Sequence, residues 1–91
     1  MIEENITIIN KLGLHTRAAA KLVALAGRFQ CSIELIHQGT GQIANCKSIM
    51  ALMLMGAARG AHLTLKISGA DELDARDAIV ALVNSRFGEA E

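Results

Sequence analysis

A histidine and an arginine lie two positions apart where a strand-like segment gives way to a helical pattern. His15 and Arg17 belong to the run 13–23, which reads GLHTRAAAKLV. The first turn of a helix leaves backbone N–H groups unpaired and carries a partial positive charge, so it attracts anions. An imidazole nitrogen can form a covalent intermediate, and a guanidinium offers a planar fork of donors to phosphate oxygens. The spacing therefore predicts a phosphoryl site with His15 as the nucleophile and Arg17 as the clamp.

The chemistry expected of His15 requires a neutral ring. Unperturbed imidazole has a pKa of about 6.5, so the neutral form predominates near neutral pH. A helix start disfavours the imidazolium and favours an attached phosphoryl dianion, each by about 0.3 to 1 kcal/mol. The alternative interpretation is that His15 only caps the helix or is merely exposed, without any chemistry.

Composition excludes several classes of function. The chain has 91 residues, of which 52% are hydrophobic, so it predicts one domain with a single core, spanning residues 1–91. Nine Lys and Arg residues balance nine Asp and Glu residues, which leaves no basic field for a phosphodiester backbone. With two Phe and no Tyr or Trp, little is left on which bases could stack. We therefore do not expect nucleic acid as a partner.

The two cysteines, Cys31 and Cys46, are expected to be reduced thiols in the cytoplasm, because the chain begins without a basic and then apolar leader. Together with His37 and His62 they do not have the spacing of a zinc site, so we predict no metal. No apolar run approaches the roughly 18 residues of a membrane span, so we predict no membrane insertion.

The pattern of apolar residues predicts strands and helices in alternation. Strands are expected where polar and apolar residues alternate or a short run follows a turn, at 5–9, 32–37, 42–44 and 62–68. The first helix begins at Thr16, the second follows Ser48 as N-cap and ends at Gly56, and the third follows Asp71 as N-cap, with an apolar stripe that extends to Phe87. The order β-α-β-β-α-β-α predicts a two-layer α+β sandwich with one sheet face open to solvent.

Two blocks of this sequence, the run 13–23 and Asn45–Met53, closely resemble the two motifs of HPr, the histidine-containing phosphocarrier family of the bacterial phosphoenolpyruvate-dependent phosphotransferase system. The resemblance runs nearly end to end. It implies a single HPr-like domain with an antiparallel sheet of order 1-4-2-3 and three helices on one face. It also implies that His15 is phosphorylated on a ring nitrogen, that Arg17 stabilises the phosphorylated form, and that the backbone N–H groups of Thr16 and Arg17 bind the phosphoryl group.

The second block carries a candidate regulatory site and a candidate docking surface. Ser48 is expected to cap its helix whatever else it does. The resemblance implies that this serine is the one phosphorylated by a dedicated kinase in some bacteria. Because so short a helix cannot bury all its apolar residues, we expect Ile49, Met50 and Met53 to be exposed, and the matching positions form the docking patch in HPr-like proteins.

One residue departs from the family pattern. Many members have proline after the arginine, where this chain has Ala18. Proline at a first helical position fixes the backbone angle without losing a hydrogen bond, so Ala18 predicts a less rigid helix start but removes no reacting group. In this respect the chain is more similar to the nitrogen-related paralogues of HPr, the nitrogen branch, than to the sugar-transport members, the sugar branch.

By this resemblance the protein is a cytoplasmic phosphocarrier, a stoichiometric relay rather than a conventional enzyme. It is expected to act as a monomer without a cofactor, to accept phosphate from phosphorylated enzyme I, which takes it from phosphoenolpyruvate with magnesium, and to pass it to EIIA-type proteins, with a serine kinase or phosphorylase as further partners. One alternative is a nitrogen-branch regulatory module that acts by phosphorylation-dependent binding. The other is an unrelated α+β domain that binds an anion without covalent chemistry.

Overall fold

Segments of alternating polar and apolar residues form one antiparallel sheet in the computed structural model, which describes residues 1–91. The strand order is 1-4-2-3, as the resemblance implies. The two central strands each pair with two neighbours, and the first and third strands of the chain form the edges. The strands are β1 (Ile2–Thr7), β2 (Ser32–His37), β3 (Ile43–Asn45) and β4 (His62–Ser68).

Three helices cover one face of the sheet and leave the other open, which confirms the predicted sandwich. They are α1 (Thr16–Ala26), α2 (Ile49–Met55) and α3 (Glu72–Asn84), and a 3-10 turn follows at Arg86–Gly88. No helix has both the length and the apolar character that crossing a membrane requires.

A single core lies between the two layers. Twenty-two buried residues form one hydrophobic cluster. The sheet contributes alternate residues from its central strands, so that Leu63, Leu65 and Ile67 are buried while their neighbours Thr64 and Lys66 lie on the other side of β4. The two thiols, Cys31 and Cys46, are buried and not joined to each other.

The edge strands differ from the prediction by a few residues. β1 runs from Ile2 to Thr7 rather than from residue 5 to residue 9, because its pairing with β4 extends from Ile2, opposite Ile67, to Thr7, opposite His62. β3 begins at Ile43, one residue later than predicted, because the carbonyl of the preceding residue accepts the bond that closes the hairpin. An edge strand tolerates charged residues on its solvent-exposed face, so the residue types alone do not show where the strand begins and ends.

The third helix ends earlier than predicted. It stops at Asn84, and Arg86 and Phe87 have φ angles of 57° and 54°, in the left-handed region that ends helices. Val83 therefore completes the buried stripe of α3. Phe87, 1% exposed, reaches the core from the turn beyond the helix rather than from the helix. The positive φ angles redirect the last residues toward α1. From that helix, the Lys21 ammonium donates a hydrogen bond to the Phe87 carbonyl at 2.6 Å.

Asp71 occupies the predicted N-cap position of α3, but the prediction that its side chain caps the helix is wrong. Asp71 precedes the helix, but its side chain makes no capping hydrogen bond. Its carboxylate instead accepts hydrogen bonds from the backbone N–H groups of Gln30 and Cys31, at 2.9 and 3.0 Å. These bonds, the one from Gln30 first among them, hold the pKa of Asp71 below its usual range. Asp71 therefore joins the start of α3 to the loop before β2.

The loop before α1 is held against the end of α2 by a close backbone contact. The Leu14 N–H donates to the Ala57 carbonyl at 2.8 Å. Gly13 has a φ of +68°, and a Cβ at this position would lie 2.6 Å from the Ala57 oxygen. Only glycine fits this approach without a shift of the backbone. The contact fixes the position of the residue two places further on, which is His15.

We expect Gly13→Ala to destabilise the fold more than a glycine substitution that strains only the backbone angle. Gly41→Ala is the matched control, because Gly41 has a φ of +76° and nothing within 4 Å of a Cβ. The control should lose about 1 to 2 kcal/mol, and Gly13→Ala about 2 to 5 kcal/mol, because overpacking adds to the angular strain. Urea denaturation measures both, and equal losses would contradict the role of the contact.

Candidate functional site

His15 is the N-cap of α1 and presents one ring nitrogen to the helix start. Its backbone is extended, with φ −87° and ψ −178°, and its Nδ1 accepts a hydrogen bond from the Arg17 N–H at 3.3 Å. The side chain is 26% exposed, so the ring is accessible from solvent. The capping interpretation therefore describes the geometry correctly, and it places Nδ1 at the unpaired N–H groups that the phosphoryl interpretation requires.

Two donor groups at the start of α1 have no partner in the protein. The Thr16 N–H has no acceptor in the protein, and no acidic residue lies in the first turn of α1. The Arg17 side chain is exposed, and its guanidinium makes neither a hydrogen bond nor an ion pair. The same open depression is lined by His15, Arg17, Lys11 and Lys21. An anion in it would meet a helix N-terminus and an uncommitted guanidinium.

The opposite ring nitrogen has a partner that the sequence prediction did not include. His15 Nε2 lies 2.5 Å from Glu89 Oε2. Because Nδ1 accepts the Arg17 N–H, the ring proton belongs on Nε2, which donates to the carboxylate. This hydrogen bond is the main cause that holds the pKa of Glu89 below its usual range, and a hydrogen bond from Asn10 acts in the same direction.

Asn10 connects the carboxylate to the loop before α1. Its side chain is fully buried, and Nδ2 donates to the Gly13 carbonyl at 2.8 Å and to Glu89 Oε1 at 3.2 Å. Its Oδ1 has no hydrogen-bond partner. No local pattern points to either residue: Asn10 has the composition of a turn after a strand, and Glu89 stands between a glycine and an alanine near the end of the chain.

The C-terminal tail, residues 86–91, therefore forms one wall of the depression. Phe87 anchors it in the core, and the Lys11 N–H bonds to the Glu91 carbonyl. The Lys11 ammonium also lies 3.4 Å from the Glu91 carboxylate. These contacts hold Glu89 in place beside the ring, with its side chain only 14% exposed.

Ser48 caps α2 as predicted. Its Oγ accepts a hydrogen bond from the Ala51 N–H at 3.2 Å, and its backbone is extended. The helix ends at Gly56 in the left-handed conformation. The structural role expected of this serine is therefore confirmed.

The three apolar residues predicted to be exposed on α2 are exposed. Met50 is 67% exposed, and Leu54, which the prediction left outside the set, is 73% exposed. Leu52 and Met55 form the buried side of the helix. We call the exposed set, Ile49, Met50, Met53 and Leu54, the α2 patch. The hydrogen bond from Leu14 to Ala57 places the loop before His15 beside the end of the same helix.

Comparison with known proteins agrees with this geometry. The family model described as the PTS HPr component phosphorylation site matches residues 2–85. The phosphocarrier protein HPr of Cupriavidus necator is 46% identical over 91 residues, which cover all of both chains. The phosphocarrier protein NPr of Shewanella violacea is 43% identical over 89 residues, 98% of this chain and 96% of that one.

The fold also matches solved structures of the family. The crystal structure of HPr-C-His from Thermoanaerobacter tengcongensis superimposes with a TM-score of 0.93 at 40% sequence identity, covering all of both chains. Sequence, topology and the matched phosphorylation-site model lead to the same assignment. The chain belongs to the HPr family of phosphocarrier proteins of the phosphotransferase system.

Proposed function

We propose that this protein carries a phosphoryl group on His15, taking it from phosphorylated enzyme I and giving it to EIIA-type acceptors. The observation that carries the proposal is the position of His15 Nδ1, which faces the first turn of α1 beside the unpaired Thr16 N–H. The single core also supports the prediction that residues 1–91 act as one HPr-like domain.

The chemistry follows from the lone pair on Nδ1. Its attack forms the N–P bond, while the bond from phosphorus to the donor breaks and its electron pair leaves with the donor. The Arg17 N–H, no longer bonded to Nδ1, and the Thr16 N–H then donate to phosphoryl oxygens. The Arg17 guanidinium binds the remaining charge in the geometry that suits phosphate. Transfer to the acceptor is the reverse of these steps.

The α2 patch is the proposed docking surface for both the donor and the acceptor. Flexible thioethers adapt to unrelated partners, and an exposed apolar patch on a small domain marks an interaction site. Ser48 lies directly before the patch, so a phosphate on its hydroxyl would add up to two negative charges at the edge of an apolar contact. We propose that such a modification weakens docking.

The nitrogen-branch alternative is favoured by Ala18, which replaces the proline of many members. Ala18 is fully buried at the start of α1, so this position is packed without the proline ring that would fix its φ angle. In this alternative the phosphorylation state of His15 acts mainly through binding of target proteins. Phosphorylation by enzyme I from the nitrogen branch at a higher rate than by sugar-branch enzyme I would favour it, and the opposite preference would count against it.

His15→Ala should abolish phosphorylation. We expect incubation with phosphoenolpyruvate, magnesium and the cognate enzyme I to add one acid-labile phosphoryl group, detected as a mass increase, because His15 is the only histidine that lines the depression. His62→Ala is the control, since His62 lies exposed on β4 and contacts Thr7 rather than a helix start. An unmodified wild-type protein would support the anion-binding alternative.

Arg17→Ala should slow transfer and leave the fold intact. The guanidinium is exposed and without a partner, so its removal breaks no contact of the free protein. A hydrogen bond to a charged group contributes about 1.5 to 3 kcal/mol, which corresponds to a loss of roughly 10- to 100-fold in transfer rate. Arg28→Ala, also an exposed arginine, serves as the control in rapid-quench measurements. Equal rates for both variants would remove the role assigned to Arg17.

Met50→Asp should weaken docking without changing the site. We expect kcat/KM for transfer from enzyme I to fall by about tenfold or more, equivalent to 1.4 kcal/mol, while chemical phosphorylation of His15 by a small donor is unaffected. Leu73→Asp is the control, because Leu73 is similarly exposed but lies on α3. Ser48→Asp, measured in the same assay, should also lower kcat/KM, because it adds a negative charge at the edge of the α2 patch. If Leu73→Asp had the larger effect, the docking surface would lie elsewhere.

A further inference from the structure

We propose that Glu89 is a positioning residue that keeps the ring proton of His15 on Nε2 both before and after phosphoryl transfer. This inference rests on the proposed function and deepens it. Its basis is that both ring nitrogens are engaged in the free protein, Nδ1 by the Arg17 N–H and Nε2 by the Glu89 carboxylate. The tail that carries Glu89 lies beyond the stretch that the family model matches.

Only one tautomer of His15 satisfies both contacts. With the proton on Nε2, the ring donates to Glu89 and accepts from Arg17. With the proton on Nδ1, two N–H groups would face each other at the helix start, and the carboxylate would face a lone pair. The contacts therefore leave the lone pair on Nδ1, the nitrogen that lies beside the unpaired Thr16 N–H.

The same arrangement lets the phosphoryl group move without a proton transfer. When Nδ1 attacks phosphorus, the N–P bond forms, the donor leaves with its electron pair, and the ring becomes a phosphoimidazolium that still carries its proton on Nε2. The Glu89 carboxylate balances that positive charge. In the next step a nucleophile of the acceptor forms a bond to phosphorus while the N–P bond breaks, the electron pair of that bond returns to Nδ1, and the ring is again the neutral tautomer. Without the carboxylate the phosphorylated ring releases the Nε2 proton more readily. Breaking the N–P bond would then expel an imidazolate anion, which is a poorer leaving group than neutral imidazole.

The other charged groups around the ring cannot replace Glu89. The depression that contains the ring is also lined by Arg17 and Lys21 from α1 and by Lys11 from the loop before α1, and all three oppose a positive charge on the ring. Glu91, the second carboxylate of the tail, pairs with Lys11 instead of with the ring.

Glu89 is also the carboxylate that the structure holds in place. Asn10 donates to its second oxygen, and the buried Phe87 anchors the tail two residues earlier. A hydrogen-bonded carboxylate that is only 14% exposed is screened less by water and salt than a fully exposed one. Its effect on the ring therefore persists at physiological ionic strength.

One substitution separates the charge of Glu89 from its hydrogen bond, and a second substitution is its control. Glu89→Gln keeps a carbonyl oxygen that can accept from Nε2 but removes the negative charge, and Glu91→Gln removes the neighbouring charge that does not touch the ring. Backbone amide chemical shifts of residues 86–91 that match the wild type would show that the tail of each variant remains folded. The His15 tautomer and the titration of the phosphorylated ring are then read from its 15N chemical shifts by NMR, after phosphorylation with phosphoramidate, which needs no partner protein.

We expect the Nε2–H tautomer in the unphosphorylated wild-type protein and a phosphorylated ring that keeps its Nε2 proton above neutral pH. In Glu89→Gln the phosphorylated ring should bind that proton about tenfold more weakly, a shift of one pH unit in the titration. Transfer from the phosphorylated variant to its acceptor should fall by a similar factor at pH 8 and little at pH 6. Glu91→Gln should resemble the wild type in every measurement.

The inference is overturned by an Nδ1–H tautomer in the wild type, by a phosphoryl group on Nε2, or by a titration that Glu89→Gln shifts no more than Glu91→Gln does. These results are distinct from a failure of the proposed function. Absence of phosphorylation by enzyme I contradicts the proposed function, whereas normal phosphorylation with an unmoved titration contradicts only the role of Glu89.

Discussion

The hydrogen bond from the Arg17 N–H to His15 Nδ1 joins the fold to the chemistry. An N-cap bond contributes about 0.5 to 2 kcal/mol to a helix, and here the capping acceptor is a ring nitrogen instead of the usual hydroxyl or carboxylate. In the proposed function the phosphoryl oxygens take over as acceptors once Nδ1 has reacted, so the helix start is never left without one. The backbone then needs little rearrangement between the free and the phosphorylated states, as a reversible carrier requires.

That bond is well placed only because the chain on both sides of it is fixed. Before His15, Gly13 lies against the Ala57 carbonyl and Leu14 is buried, which leaves the loop no freedom to swing away from α1. After His15, α1 packs its buried stripe against the sheet. The ring is then held from its far side by Glu89, so its orientation depends on three parts of the chain.

The sequence was sufficient for the parts of the site that are local. His15, Arg17 and the Ser48 cap each stand at a helix start, where neighbouring residues decide the geometry, and alternation in β4 is enough to identify a half-buried strand. The order of the strands came from the family resemblance, since periodicity does not distinguish one pairing from another. The sequence could not identify Glu89 as a site residue, because its contact with the ring joins residues 74 positions apart and depends on where α3 ends. The end of α3 was itself misplaced, since left-handed angles at Arg86 and Phe87 have no signal in residue type: neither is a glycine or an asparagine.

The chain has no net charge, but its site can still attract an anion, because the basic side chains there differ in whether they are bound to other protein groups. Lys11 and Lys21 are each engaged with the tail, by an ion pair and by a backbone carbonyl. The Arg17 guanidinium is engaged with nothing, so no protein contact has to break before it binds a phosphoryl oxygen. Glu89, the one carboxylate in contact with the ring, lies at the nitrogen that does not face the helix start, so its repulsion of an incoming anion is exerted across the ring rather than at the reacting atom. A carboxylate at Nδ1 would compete with the phosphoryl group for the same N–H donors, whereas at Nε2 it opposes only the loss of the ring proton.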